Sequence, residues 1–120
     1  MNPSIDSARF GSITIDGTVF KHDVIIRLTG VVKKRRKKLS KALYGTSHII
    51  SLAEAEHIYQ EGAKHLIIGA GQFGRVKLSD EAADYLHQQG CQVDLLPTTE
   101  AIQAWNEAEG DVIGMFHITC

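Results

Sequence analysis

At 120 residues, with 43% apolar and 22% charged side chains, the chain is long enough to bury a core and too apolar to remain disordered. No apolar run approaches the ~18–20 residues of a membrane-spanning helix. Met1-Asn2-Pro3-Ser4-Ile5-Asp6 lacks the basic and apolar regions of a secretory signal, so a cytoplasmic location is expected. The net charge of −1 conceals an asymmetry: residues 1–50 hold ten Lys/Arg against three Asp, and residues 51–120 hold three against eleven Asp/Glu.

A single domain over 1–120 is expected, with a flexible N-terminus over 1–8. Ser12-Ile13-Thr14-Ile15 alternates polar and apolar, as a half-buried strand does. Asp16-Gly17 is a two-residue hairpin signal, with Thr18 to Phe20 returning. Asp23 to Leu28 reads as a longer strand, and Thr29-Gly30 turns into Val31-Val32, completing an antiparallel meander. Lys33, Lys34, Arg35, Arg36, Lys37 and Lys38 follow, with Lys41 just beyond. Consecutive cations would charge both faces of a strand, so an exposed basic loop is expected over 33–47.

Ser51-Leu52-Ala53-Glu54 has the spacing of a capping box, and Leu52, Ala55, Tyr59 and Ala63 recur at helical spacing toward Gly62. Leu66-Ile67-Ile68 is a strand running into Gly69-Ala70-Gly71-Gln72-Phe73-Gly74. This resembles a dinucleotide-binding loop, which requires a helix to open within it. Here the helix is late: Arg75-Val76-Lys77-Leu78 alternates with period two, and only Ser79-Asp80-Glu81 caps a helix. The loop therefore reads as a structural turn, and no nicotinamide or flavin cofactor is expected. Cys91 to Leu96 is a strand, Pro97-Thr98-Thr99-Glu100 opens a helix with Ile102, Trp105 and Ala108 on one face, and Val112 to Phe116 is apolar throughout, as a strand covered on both faces is. The alternation of helices and strands predicts an α/β fold with a mixed, mostly parallel central sheet.

Together, Phe10-Gly11 through Asp16-Gly17, His22-Asp23-Val24, Gly45-Thr46-Ser47-His48, Leu66 to Gly74, Pro97-Thr98-Thr99-Glu100-Ala101 and His117-Ile118-Thr119-Cys120 resemble the Mth nine-three-eight domain family, also called the adipogenesis-associated Mth-domain family. The resemblance runs from Arg9 to the end and is nearest to the compact archaeal or bacterial members. It implies a three-layer α/β domain, with helices on one side of the central sheet and a small β-meander layer on the other. One branch of that family assembles mitochondrial respiratory complex I and another is linked to fat-cell differentiation. The resemblance supplies no catalytic residues, and no mitochondrial presequence is seen at this N-terminus.

Two cysteines without CxxC spacing, Cys91 and Cys120, read as free thiols. The six histidines show neither HxH nor HxxxH spacing, so no metal site is expected. Glu54, Glu56, Glu61, Glu81, Asp84, Glu107 and Glu109 read as solvated helix faces. Two candidate surfaces remain. In parallel sheets, loops gather at the carboxyl ends of the strands, and helix N-termini there attract anions, so Gly71, Gly74, Arg75, Thr98 and Thr99 could surround a small anionic ligand. Lys33, Lys34, Arg35, Arg36, Lys37 and Lys38 could meet phosphates or an acidic partner, and the asymmetry also admits a homodimer. The expected function is a protein-binding or assembly module without catalysis. The alternatives are an anionic-ligand binder or weak enzyme at the glycine-loop edge, and a nucleic-acid binder using the basic run.

Overall fold

The computed structural model describes residues 2–120. Ile5–Arg9 (β1), Ser12–Ile15 (β2) and Thr18–Phe20 (β3) form a separate antiparallel sheet. Asp16 (φ 46°) and Gly17 (φ 81°) supply the two consecutive positive φ values that a tight β2–β3 hairpin requires. Along the chain follow Val24–Ile26 (β4), Val32–Lys34 (β5), Lys38–Tyr44 (α1), Ile49–Ile50 (β6), Leu52–Ile58 (α2), His65–Ala70 (β7), Lys77–Leu78 (β8), Asp80–Gln88 (α3), Gln92–Leu96 (β9), Thr98–Glu107 (α4) and Val112–His117 (β10).

The central sheet has the order β5-β4-β10-β7-β9. β7 pairs in parallel with both β10 and β9, whereas β4 runs antiparallel to β10 and to β5. The sheet is therefore mixed, as expected. β10 lies at its centre and is buried at every position, which accounts for its uninterrupted apolar sequence from Val112 to Phe116. On one face, Ala55 and Ile58 of α2 and Ala82 and Leu86 of α3 pack on Ile25, Leu66, Ile68, Ile113 and Met115. On the other, Ile5, Ile13 and Ile15 of the meander and Ala101 and Trp105 of α4 pack on Val24, Ile26, Ile67, Val112 and Phe116. Successive residues of β4, β7 and β10 thus feed two cores, the period-two consequence of a strand covered on both sides.

Several local expectations need correction. The N-terminus is anchored from Ile5: Ile5 N–H donates to Asn106 Oδ1 (2.9 Å) and Asn106 Nδ2 donates to Ile5 O (2.9 Å). Trp105 Nε1 also donates to Pro3 O (2.8 Å), so residues 3 and 5 of the segment expected to be flexible over 1–8 bond to α4, and residue 1 lies outside the described residues. The antiparallel meander stops at Phe20, since β4 and β5 join the central sheet instead. The exposed loop expected over 33–47 contains the end of β5 and all of α1, closed by Gly45 at φ 69°. α2 ends at Ile58 rather than near Gly62, and Leu52 is exposed.

Two strand glycines set the spacing of the second core. A Cβ at Gly114 would lie 2.8 Å from the Phe116 ring and 3.0 Å from the Trp105 indole; one at Gly69 would lie 2.7 Å from Phe116. The Trp105 and Phe116 rings meet edge to face at 6.0 Å in the space these glycines leave. Gly114→Ala is expected to cost about 1–3 kcal/mol of folding free energy through overpacking, measurable as a lower urea midpoint with an unchanged denaturant slope.

Candidate functional site

Arg35 breaks the pattern of its neighbours. It is buried in the middle of the basic run. Its backbone N–H continues the β4–β5 pairing by donating to Asp23 O (2.9 Å), and its side chain turns inward. Nη1 donates to Asp23 Oδ2 (2.9 Å), Nε to Glu54 Oε2 (2.6 Å), and Nη2 to Glu54 Oε1 (3.0 Å) and Ser47 O (2.7 Å). The planar guanidinium is therefore bidentate to one carboxylate and monodentate to another, an arrangement lysine could not reproduce.

The carboxylates are themselves fully engaged. Asp23 Oδ2 also accepts from His117 Nδ1 (2.7 Å), and Oδ1 accepts from Ile118 N–H (2.9 Å). Ser40 Oγ donates to Glu54 Oε1 and accepts from Ser51 N–H (3.0 Å). Ser51 Oγ caps α2 by accepting from Glu54 N–H (3.1 Å), but Glu54 does not reach back as a capping box requires. Its side chain, expected to be solvated, is buried against Arg35 instead. Burial alone would raise the Asp23 carboxyl. The hydrogen bond and charge of His117, the Ile118 N–H and the Lys37 ammonium outweigh burial and lower it from 3.8 to about 2. Burial likewise disfavours the Arg35 cation, but Glu54 and Asp23 overcome it, so its pKa is raised.

Above this network lies a cleft of about 870 Å³ lined by nine cationic side chains. Lys33, Lys34, Arg36 and Lys38 are exposed, as the sequence suggests, and Lys21 and Lys41 join them. Arg27, Arg35 and Lys37 complete the set, with His22, Asp23 and His57; among the described residues no apolar side chain lines it. Lys37 is half-buried, 3.6 Å from Asp23 Oδ2, and Arg27 donates to the carbonyls of His57 and Ile58 that end α2. The cations act on one another. Burial and then Arg36 lower the Arg27 pKa, and burial followed by Arg27 and Arg36 lowers that of His57. The sequence run thus supplies six of the nine cations, and Arg35 serves as foundation rather than as surface. Lys41, just beyond the run, was visible beside it; for Lys21 and Arg27 the charge asymmetry of the first fifty residues was the signal.

At the glycine-loop edge the backbone makes close contacts with the end of the chain. Gly69 belongs to β7, and its lack of a side chain admits the Phe116 ring. Gly71 (φ +93°) sits 2.8 Å, by its absent Cβ, from the carbonyls of Thr119 and Cys120. Gly71 N–H donates to Thr98 Oγ1 (2.9 Å), Gln72 N–H to Thr119 O (2.9 Å) and Gly74 N–H to Gly71 O (3.2 Å). Thr98 Oγ1 donates in turn to His117 O (2.7 Å), and α4 starts without a side-chain cap because its N-cap, Pro97, has no side-chain acceptor. Arg75 lies over the exposed Phe73 ring (5.7 Å). Thr98 and Thr99 line a smaller cavity of about 170 Å³ with Arg9, Phe10 and Gln72, which Gly71, Gly74 and Arg75 do not line. The extended segment after the loop is β8, pairing in parallel with β6, and Ser79 Oγ accepts from Ala82 N–H (3.1 Å) at the delayed helix start.

A five-stranded mixed sheet, two helices on one face, and a meander with α4 on the other define a three-layer α/β domain. Over residues 5–117 the chain matches the family described as "Protein of unknown function (DUF498/DUF598)", and it belongs to that family. The conserved hypothetical protein PH1505 from Pyrococcus horikoshii OT3 is 31% identical, with 98% of this chain and 99% of that one covered at a TM-score of 0.89. The protein MT938 is 33% identical, with 99% and 100% covered at a TM-score of 0.82. A Bordetella pertussis protein, described as a Mth938-like domain, shares the fold at 16% identity and a TM-score of 0.64, with 97% and 85% covered. The resemblance read from the sequence therefore holds at the level of the family.

Removing one member of a buried ion pair strands the other charge, at about 3–5 kcal/mol. Arg35→Met is expected to lose this much in urea denaturation, whereas Lys34→Met, at the exposed neighbouring position, stays within about 0.5 kcal/mol of the wild type. The folded-state pKa of Asp23 lies below its unfolded value, so its contribution to stability is present above pH ~4 and is lost as pH falls toward 2. Acid titration of the urea midpoint is expected to fall across that window, by an amount equivalent to roughly 2 kcal/mol, and less steeply in Asp23→Asn.

Proposed function

We propose that this domain is a binding module, rather than an enzyme, and that it holds an anionic macromolecular partner in the basic cleft. The observation that carries this reading is the gathering of nine cations, six of them exposed, around one concave surface with no apolar lining among the described residues. Bringing like charges together costs free energy, and a polyanion recovers it on docking. The groups best suited to proton transfer support the same reading. Asp23, Glu54, Ser40 and His117 are buried and spend their hydrogen bonds on one another and on Arg35. An acidic protein surface, as in assembly, and a nucleic acid both present the complementary charge.

Heparin chromatography tests the cleft directly. The wild type is expected to be retained at low ionic strength and to elute as salt rises, and Lys33→Gln/Lys34→Gln/Arg36→Gln/Lys38→Gln to pass through unretained. Wild-type flow-through at low salt would refute the proposal.

A further inference from the structure

We infer that the partner in the cleft is the phosphate backbone of a duplex nucleic acid. This rests on the reading of the cleft as a polyanion site and narrows it to one class of partner.

Three observations separate a phosphate backbone from an acidic protein. The first is composition. Protein–protein interfaces have an apolar core anchored by aromatic side chains and are poor in lysine, whereas nucleic-acid interfaces are polar and strongly basic. The cleft is of the second kind: every lining residue is charged or histidine. The second is extent. The nine cations are spread around a concave surface of about 870 Å³, and the adjoining depression of about 640 Å³, which shares Arg27, Lys33 and His57, adds Val31, Glu56, Tyr59 and Gln60 but no further cation. A repeating anion can engage charges spread over such a surface, and a small ligand would leave most of them unmet. The third is the source of the cations. They come from β5, from α1, from the lead-in to α1, and from the segments after β3 and β4. β5 is an edge strand, so Lys33 and Lys34, although on successive positions, are both reachable from that edge. Edge-strand lysines also deter strand pairing between chains, but that role does not call for Lys21, Arg36, Lys38 and Lys41 as well.

Duplex is preferred over single strand because, among the described residues, stacking platforms are missing from the cleft. Among the described residues no Phe, Tyr or Trp lines it: Phe20 is half-buried edge to face against His22 at 5.9 Å, and Tyr59, in the adjoining depression, is half-buried with its ring edge-on to Tyr85 at 5.9 Å. A surface that engages a duplex through its phosphates is indifferent to sequence.

Fluorescence anisotropy tests this with labelled DNA and RNA duplexes of about 20 base pairs, a thymidine single strand of equal length, and poly-L-glutamate, between about 50 and about 200 mM salt. With six exposed cations, duplex affinity is expected to fall about 10³-fold over that range, a log–log slope of about −5. Lys34→Gln/Lys38→Gln is expected to make the slope shallower by about 2, whereas Lys64→Gln/Lys77→Gln, away from the cleft, leaves it unchanged. Two duplexes of unrelated sequence should bind alike, and the DNA and RNA arms show which backbone geometry fits. Poly-L-glutamate or the single strand binding as tightly as the duplexes would overturn this inference and leave the cleft proposal standing. Failure to bind any of the polyanions would overturn both, as would duplex binding unaltered in Lys34→Gln/Lys38→Gln.

Discussion

The Arg35 guanidinium, clamped between Asp23 and Glu54, is the interaction on which the rest of this structure depends. It joins the start of β4, the end of β5 and the first turn of α2, and through Asp23 it reaches His117 and Ile118 at the end of the central strand. Four segments far apart in sequence thus share one desolvated cluster of charge. Such a cluster is a poor source of net stability, because desolvation offsets most of the Coulombic attraction. It is a strong source of register. Moving β5 so that Lys34 takes the place of Arg35 would break the cluster, because a lysine ammonium cannot bridge both carboxylates in the same plane.

This clamp also explains how so many like charges coexist at the surface. An isolated run of six cations tends to remain extended and mobile. Here its third member is pinned inside the molecule, which holds the residues before it in an edge strand and leads those after it into a short helix. Lys37 gains a partner of its own in Asp23. His48 shows how far the positive field extends. Burial lowers its pKa, and the nearby charges of His117, Arg75, Arg35 and Lys37 lower it further.

Much of the fold was legible because its signals are local. Asp16-Gly17 can make its tight turn from two residues, Ser51 and Ser79 need only the next three to cap a helix, and the unbroken apolar sequence of β10 reports burial on both faces. The candidate site was legible only as composition. Nothing within a few residues of Arg35 distinguishes it from Arg36; the difference is the position of Asp23 and Glu54, twelve and nineteen residues away. α1 was missed for a similar reason, since Lys37 at its N-cap offers no capping side chain. The delayed helix after the glycine stretch was legible in the alternation of residues 75–78 and the cap at Ser79. The reason for the glycines themselves lay out of reach, because Phe116 and the carbonyls of Thr119 and Cys120 approach from the other end of the chain.

The placement of β10 has a consequence for the order in which this molecule can be built. The strand at the centre of the sheet is the last in sequence, flanked by β4 and β7. Until it arrives, β4 and β7 are unpaired along their inner edges, Asp23 lacks His117 and Ile118, and Trp105 has no Phe116 to pack against. During synthesis the earlier helices and hairpins can form locally, but neither core can close until residues 112–118 have emerged from the ribosome. Folding is then a single late insertion, with both apolar faces exposed up to that moment.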